Sequence, residues 1–232
     1  MRLYKEVKVV QRSDGYTIKL DSRLACTPRG KPLVLASKAL ARAIANEWRV
    51  QQKIVVPSTM PLCGHANTAI DRICKNRQII YKKVLNFAET DLLCYRVDEP
   101  KELATRQNEY WQPILNWASD VLGVKLEVTI GVVHVKQPAE AIDALATKLQ
   151  KLNDMELAGI ASLTTACGSA ILAFAIAEGR IDAKRAFECS QLDQTYQNER
   201  WGIDEEAKAS QKVLENEIAS AALFLSLLES SI

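Results

Sequence analysis

The sequence predicts an α+β protein with a small β-rich N-terminal domain, residues 1–57, followed by a mainly α domain, residues 58–232. β-branched residues surround an Asp14-Gly15 pair near the start of the chain, and Asp-Gly is a strong hairpin signal. From Ser37 onward the apolar residues recur at helical spacing, and after Met60 helical patterns follow one another closely. The boundary near residue 57 is a change of pattern, since no long linker separates the two parts.

The N-terminal domain is predicted to contain a hairpin and one helix. The strands cover Val7–Val10 and Tyr16–Leu20. Ser37 is predicted to be the N-cap of this helix because its hydroxyl can accept a hydrogen bond from the first helical turn. The apolar face of this helix consists of Leu40, Ile44 and Trp48.

The second domain is predicted to be a succession of helices. They cover Ala66–Val84, the segment from Pro100 to Gly123, Ala139–Leu152, Leu157–Ala177, Asp182–Trp201 and Asp204–Ser230. Thr90–Val97 is expected to be a strand or a buried loop. Val124–Val135 alternates apolar and polar residues, which favours a short strand or an extended arm.

The run Leu157–Ala177 contains no charged residue and is long enough to cross a bilayer. Its serines, threonines, glycines and alanines instead favour a helix that is enclosed by other helices. Gly168-Ser169 is expected to permit close helix packing. The sequence therefore predicts no membrane insertion.

Composition and charge exclude several function classes. The net charge of +2 provides no strong field for nucleic acid, so no nucleic-acid partner is expected. The six cysteines have no framework spacing, which indicates reduced and mostly buried thiols. No targeting segment is visible, and we expect a bacterial cytoplasmic protein, or a protein of the mitochondrial matrix if a presequence was removed.

Catalytic motifs are mostly absent from the sequence. It has neither a dinucleotide fingerprint nor a P-loop nor a nucleophile elbow, and only His65 and His134 could serve as histidine bases. Cys63-Gly64-His65 with Cys74 matches no common zinc spacing. We predict no catalytic residue, no metal site and no cofactor. The alternative is a Cys/His-dependent hydrolase or a metal enzyme that uses Cys63 and His65.

Two aspartates are candidates for structural hydrogen bonding. Asp71 is predicted to be a buried hub between helices, and Asp91 is predicted to cap a turn.

A polar and aromatic row near the C-terminus is the strongest candidate for binding. Asp193, Gln197 and Trp201 follow one another at four-residue steps and therefore share one helical face. Such a row can hydrogen-bond and stack on a partner, although it lacks a nucleophile and a proton relay. The alternative is a helix end that packs on its own domain, with Trp201 as a core anchor.

A set of motifs with a characteristic order and spacing runs along the chain. The motifs are Tyr4-Lys5-Glu6-Val7, Leu20-Asp21-Ser22-Arg23, Thr27-Pro28, Leu33-Val34-Leu35, Ala45-Asn46-Glu47-Trp48, Met60-Pro61-Leu62, Ala66–Arg72, Thr90–Arg96, Arg106-Gln107, Trp111, Pro113, Trp117, Leu192-Asp193, Tyr196-Gln197 and Trp201-Gly202. In this order and spacing they resemble the Atp-twelve family, whose members are assembly chaperones for the alpha subunit of the ATP synthase catalytic head. The resemblance covers nearly the whole chain. Cys63-Gly64-His65 and the polar Asn198-Glu199-Arg200 depart from the expected pattern.

The resemblance implies an orthogonal helical bundle after the β-containing domain. It also implies an ATP-independent chaperone that binds the unassembled alpha subunit and shields its interface until beta joins. The expected partner-binding residues are Asp193, Tyr196, Gln197, Trp201 and Glu205.

Overall fold

The computed structural model describes residues 2–229 and confirms the α+β class. The strands are β1 (Val7–Arg12), β2 (Gly15–Leu20), β3 (Arg23–Leu24), β4 (Tyr95–Arg96) and β5 (Thr129–Ile130). The α-helices are α1 (Lys38–Arg49), α2 (Pro61–Thr68), α3 (Cys74–Glu89), α4 (Lys101–Trp117), α5 (Ala139–Lys151), α6 (Asp154–Cys167), α7 (Ala170–Ala177), α8 (Ala183–Ser190), α9 (Leu192–Trp201) and α10 (Glu205–Glu229). Ser230, the predicted end of the last helix, lies outside the described residues.

Contacts between Cα atoms divide the chain into two compact units. The first unit contains residues 2–77, 153–159 and 220–229; the second contains residues 78–152 and 160–219. The division of the chain at residue 57 stays a prediction.

The first unit is built on an antiparallel sheet with the strand order β1-β2-β3. Val7 lies opposite Leu20 and Arg12 lies opposite Gly15, so the predicted Asp-Gly hairpin is confirmed. Helix α1 packs on β1 and β2 and buries Leu40 and Ile44. The Ser37 hydroxyl accepts a hydrogen bond from the Leu40 N–H at 3.2 Å, which confirms the predicted N-cap.

Residues of α10 complete the packing of this unit. The Ser37 hydroxyl donates a hydrogen bond to the Leu227 carbonyl at 2.5 Å. The His65 ring on α2 lies 5.3 Å from the Phe224 ring, measured between centroids. A Cβ atom at Gly159 would lie 2.5 Å from Leu225 Cδ2, so the absence of a side chain lets α6 approach α10 closely.

Asp71 joins the helical segment after α2 to the loop that follows β3. Its carboxylate accepts hydrogen bonds from the Thr27 hydroxyl at 2.8 Å and from the Arg29 N–H at 3.2 Å. Asp71 is buried, as predicted, but the partners of its carboxylate are in a loop rather than in a second helix.

The second unit has α4 in contact with α7 and α9. The predicted end of the α4 region at Gly123 is confirmed, because a π-helical segment, Ala118–Leu122, extends it to that glycine. Residues 92–94 form a short 3-10 turn before β4, and β5 pairs parallel with β4, so Thr90–Val97 and Val124–Val135 each contain a short strand. The predicted Asp182–Trp201 helix is two helices, α8 and α9, which are interrupted at Gln191.

The prediction of one helix over Leu157–Ala177 is wrong, because the chain breaks between α6 and α7. Gly168 has a φ of +67°, a left-handed conformation that glycine adopts without steric cost and that ends a helix. The Ser169 hydroxyl then accepts a hydrogen bond from the Leu172 N–H at 3.0 Å and caps α7. Gly168-Ser169 thus separates two helices. Within residues 2–229, every helix is too short or too polar to span a bilayer.

Asp91 is a second capping residue at the break between α6 and α7. Its carboxylate accepts hydrogen bonds from the Leu93 N–H at 3.1 Å and from the Ile171 N–H at 3.2 Å. The predicted turn cap is therefore confirmed, and the same side chain also holds the first turn of α7. Burial raises the pKa of Asp91 to about 6, although the hydrogen bonds from Ser169 and from the backbone oppose that rise.

Asp91 should make stability depend on pH. Because its folded-state pKa is raised, its contribution is greatest at acidic pH and is lost as the pH rises through about 6. A rise from 3.8 to about 6 corresponds to roughly 3 kcal/mol in the free energy of unfolding. Urea unfolding of the unaltered chain and of Asp91→Asn between about pH 4 and pH 7 measures this term. A difference between the two proteins that does not vary with pH would contradict the assignment.

Candidate functional site

The predicted row of Asp193, Gln197 and Trp201 lies on α9, which ends at Trp201. Asp193 is half-buried, whereas Gln197 and Trp201 are exposed. The row therefore starts at a half-buried residue, Asp193, and ends at an exposed one, Trp201.

Asp193 is tethered to α4 through a buried glutamine. The Gln107 side-chain amide donates a hydrogen bond to Asp193 Oδ1 at 2.8 Å. Gln107 Oε1 in turn accepts the Val97 N–H at 2.9 Å, so the amide orientation is fixed at both ends. One oxygen of the Asp193 carboxylate is thereby anchored to α4.

A buried arginine lies behind this glutamine. Arg96 is 8% exposed, and its guanidinium donates hydrogen bonds to the carbonyls of Leu93 at 2.7 Å and Gln107 at 2.8 Å. The guanidinium also stacks over the Trp111 ring at 5.0 Å. Burial lowers the pKa of Arg96, and the charge of Asp193 partly offsets that effect. Asp193 is thus part of the electrostatic environment of a buried cation.

The prediction of Trp201 as a core anchor is wrong, because its side chain is 77% exposed. The aromatic residue that α9 buries is Tyr196, which is 2% exposed. Tyr196 supports the surface from beneath, while Trp201 stands free of the core.

Four charged side chains around Tyr196 join α4 to α9. Arg106 binds Glu102 at 2.8 Å and Glu199 at 2.7 Å, and Arg200 binds Glu102 at 2.7 Å. Arg200 also lies over the Tyr196 ring at 3.9 Å. The two arginines are therefore already paired with carboxylates of the same unit.

The chain turns at the corner between α9 and α10, residues 201–206. The Gly202 N–H donates a hydrogen bond to the Asn198 carbonyl at 2.9 Å. The Asp204 carboxylate accepts the Ala207 N–H at 2.7 Å at the start of α10. Glu205, the remaining predicted site residue, is exposed in the first turn of α10, and its carboxylate lies 4.0 Å from the Lys208 ammonium.

The burial of Cys63 and His65 disfavours the alternative hypothesis of a Cys/His enzyme. Burial raises the pKa of the Cys63 thiol to about 11, so the nucleophilic thiolate is scarce at neutral pH. Burial also lowers the pKa of His65. Cys74 is exposed, and its thiol donates to the Ile70 carbonyl at 2.9 Å. Over residues 2–229, no three His, Cys, Asp or Glu side chains are grouped as metal ligands.

The support from Arg96, Gln107 and Trp111 was not predicted, although these residues belong to motifs of the resemblance. They lie about 80 to 100 residues before Asp193, and no local periodicity links them to it. One sequence signal could have pointed to Arg96 and Gln107: both are polar residues among apolar neighbours that are buried. Buried polar side chains need hydrogen-bond partners, so such positions indicate a buried polar network.

Comparison with known proteins identifies one family for this chain. The model of the family described as ATP12 chaperone protein matches residues 1–119, about half of the chain. The mitochondrial protein atp12 of Schizosaccharomyces pombe is 27% identical over 241 residues, which cover 98% of this chain and 83% of the relative.

Solved structures agree with this match. The crystal structure of Atp12 from Paracoccus denitrificans is 35% identical with a TM-score of 0.93, over 98% of this chain and 97% of that one. The Atu1473 protein from Agrobacterium tumefaciens is 42% identical with a TM-score of 0.91, over 99% of this chain and 85% of that one. The chain therefore belongs to the ATP12 chaperone family, the ATP synthase assembly chaperones that its sequence resembles.

Proposed function

We propose that this chain is an ATP-independent assembly chaperone that binds the unassembled alpha subunit of the F-type ATP synthase catalytic head. It shields the alpha interface until the beta subunit joins. The observation that carries the proposal is the exposed Trp201 at the end of a helix whose Asp193 is held by Gln107. An aromatic anchor at one end of a helix and a hydrogen-bonded carboxylate at the other suit binding that is specific and still displaceable.

The physics of assembly supports this role. A subunit that belongs to a permanent complex exposes a large apolar interface while it is alone, and that interface promotes aggregation. A holder that covers it can be released by competition when beta binds the same surface. The proposed cycle therefore uses no catalytic residue, no cofactor and no nucleotide of the chaperone itself. We expect it to operate in the bacterial cytoplasm, or in the mitochondrial matrix if a presequence was removed.

Selective retention tests the proposed client. The immobilised chain is mixed with isolated alpha subunit, with isolated beta subunit and with the intact catalytic head, and the bound protein is quantified. We expect strong retention of isolated alpha only, because assembly hides the surface that the chaperone covers. Equal retention of all three would refute selective holding.

Asp193→Asn should separate the client role of Asp193 from its structural role. The asparagine oxygen can still accept the hydrogen bond from Gln107, whereas the charge offered to a client is lost. We expect alpha binding to weaken by about 1.5–3 kcal/mol, the range for a hydrogen bond to a charged group. Lysine at this position is a poorer test. Asp193 partly compensates the buried charge of Arg96, so charge reversal would reduce stability further than the neutral asparagine does.

Melting temperature and alpha affinity are measured on the same preparations. Asp143→Asn, on an exposed face of α5, is the matched control and should change neither quantity. A large fall in the melting temperature of Asp193→Asn with unchanged affinity per folded molecule would assign Asp193 to structure alone.

A further inference from the structure

The corner between α9 and α10 presents two apolar side chains on a fixed backbone. Trp201 is 77% exposed and Ile203 is 40% exposed. The Gly202 N–H is bonded to the end of α9, and the Asp204 carboxylate caps α10. Because both flanking helices hold the corner, binding through Trp201 requires little additional ordering of the chaperone.

The charge around these two side chains is negative. Residues 201–206 contain the carboxylates of Asp204, Glu205 and Glu206 and no cation. The preceding arginine, Arg200, is paired with Glu102 at 2.7 Å, which neutralises it locally. Lys208 lies 4.0 Å from Glu205, and both side chains are largely exposed, so this pair is weakly held.

We infer that the corner inserts Trp201 into an apolar pocket of the client that is bordered by at least two lysine or arginine side chains. The indole requires an apolar recess in order to leave water, and the three carboxylates favour basic residues at its rim and repel acidic ones. This inference rests on the proposed function for the existence of a client, and it adds the chemistry of the contact. Charge complementarity of this kind mainly accelerates association and makes it sensitive to salt.

The test measures the affinity of isolated alpha subunit for the full chain at about 50 mM and about 500 mM salt, concentrations that screen exposed charges very differently. Trp201→Ala should weaken binding by about tenfold or more at both concentrations. The double change Glu205→Lys with Glu206→Lys should weaken binding by about tenfold at low salt and abolish or invert the salt dependence. Glu140→Lys with Asp143→Lys on α5 is the matched control, since it makes the same change of charge at exposed sites on another helix.

Glu102→Gln provides a variant outside the corner. It leaves Arg200 without its carboxylate, so a cation appears beside Trp201 while residues 201–206 stay unchanged. We expect a reduced salt dependence and an affinity that falls severalfold. All variants are compared at equal folded fraction, which melting curves establish.

The possible failures have different meanings. If the unaltered chain binds alpha and the Trp201 and Glu205/Glu206 variants bind it with the same affinity, the inference is overturned. The proposed function would still stand. An equal loss in the α5 control would also overturn it, because net charge rather than the corner would then decide binding. No binding of alpha by the unaltered chain would overturn both.

Discussion

Ala173→Arg should unfold the protein or prevent its soluble accumulation. Ala173 is fully buried in the middle of α7, a helix in which every residue from Ala170 to Ile176 is buried. An unpaired charge in such a place costs several kcal/mol, roughly the whole stability of a typical domain, which is about 5–15 kcal/mol. Soluble yield and urea unfolding of the variant measure this effect.

The matched control is Ala209→Arg, which places the same side chain on an exposed position of α10. It should leave stability nearly unchanged, since surface substitutions usually do. A soluble Ala173→Arg protein with normal unfolding would show that one face of α7 is open to solvent.

Alanine in place of tryptophan should have opposite consequences at two positions of this chain. Trp111 is 1% exposed, its indole N–H donates to the Cys189 carbonyl at 2.9 Å, and Arg96 stacks on its ring. Trp111→Ala leaves a cavity and an unsatisfied carbonyl, so we expect a loss of about 3–5 kcal/mol in the free energy of unfolding. Trp201→Ala removes an exposed side chain and should cost less than about 0.5 kcal/mol.

Chemical unfolding measures stability for both variants, and alpha affinity is measured for the molecules that remain folded. We expect Trp111→Ala to lose stability first and Trp201→Ala to lose binding alone. Similar stability losses in the two variants would contradict the positions that the structure gives to these side chains.

Local signals in the sequence predicted much of the fold. The Asp14-Gly15 hairpin and the Ser37 cap were predicted because each depends on residues only a few positions apart. The break at Gly168-Ser169 also had a local signal, a glycine followed by a capping serine, but the uninterrupted apolar run around it indicated one helix. Burial on all sides removes the periodicity that would otherwise mark where one helix ends and another begins.

The candidate site was less predictable because its support is distant in sequence. The position of Asp193 depends on Gln107, 86 residues earlier, and no helical or strand period spans that distance. The exposure of Trp201 departs from the usual burial of aromatic residues, which is why the sequence offered a core anchor as an alternative. Such departures are expected at binding surfaces, the role that we propose for this residue.

The contacts between α10 and the first unit have a consequence for synthesis on the ribosome. Ser37 bonds to Leu227 across 190 residues, and Phe224 packs on His65, so residues near both ends of the sequence share one core. The sheet and α1 are made early, yet their packing cannot be completed until the segment 220–229 has left the ribosome. At a synthesis rate of about 5–20 residues per second, the nascent N-terminal unit waits for roughly ten seconds or longer with part of its apolar surface uncovered. A chaperone of assembly is thus itself exposed to aggregation while it is being translated.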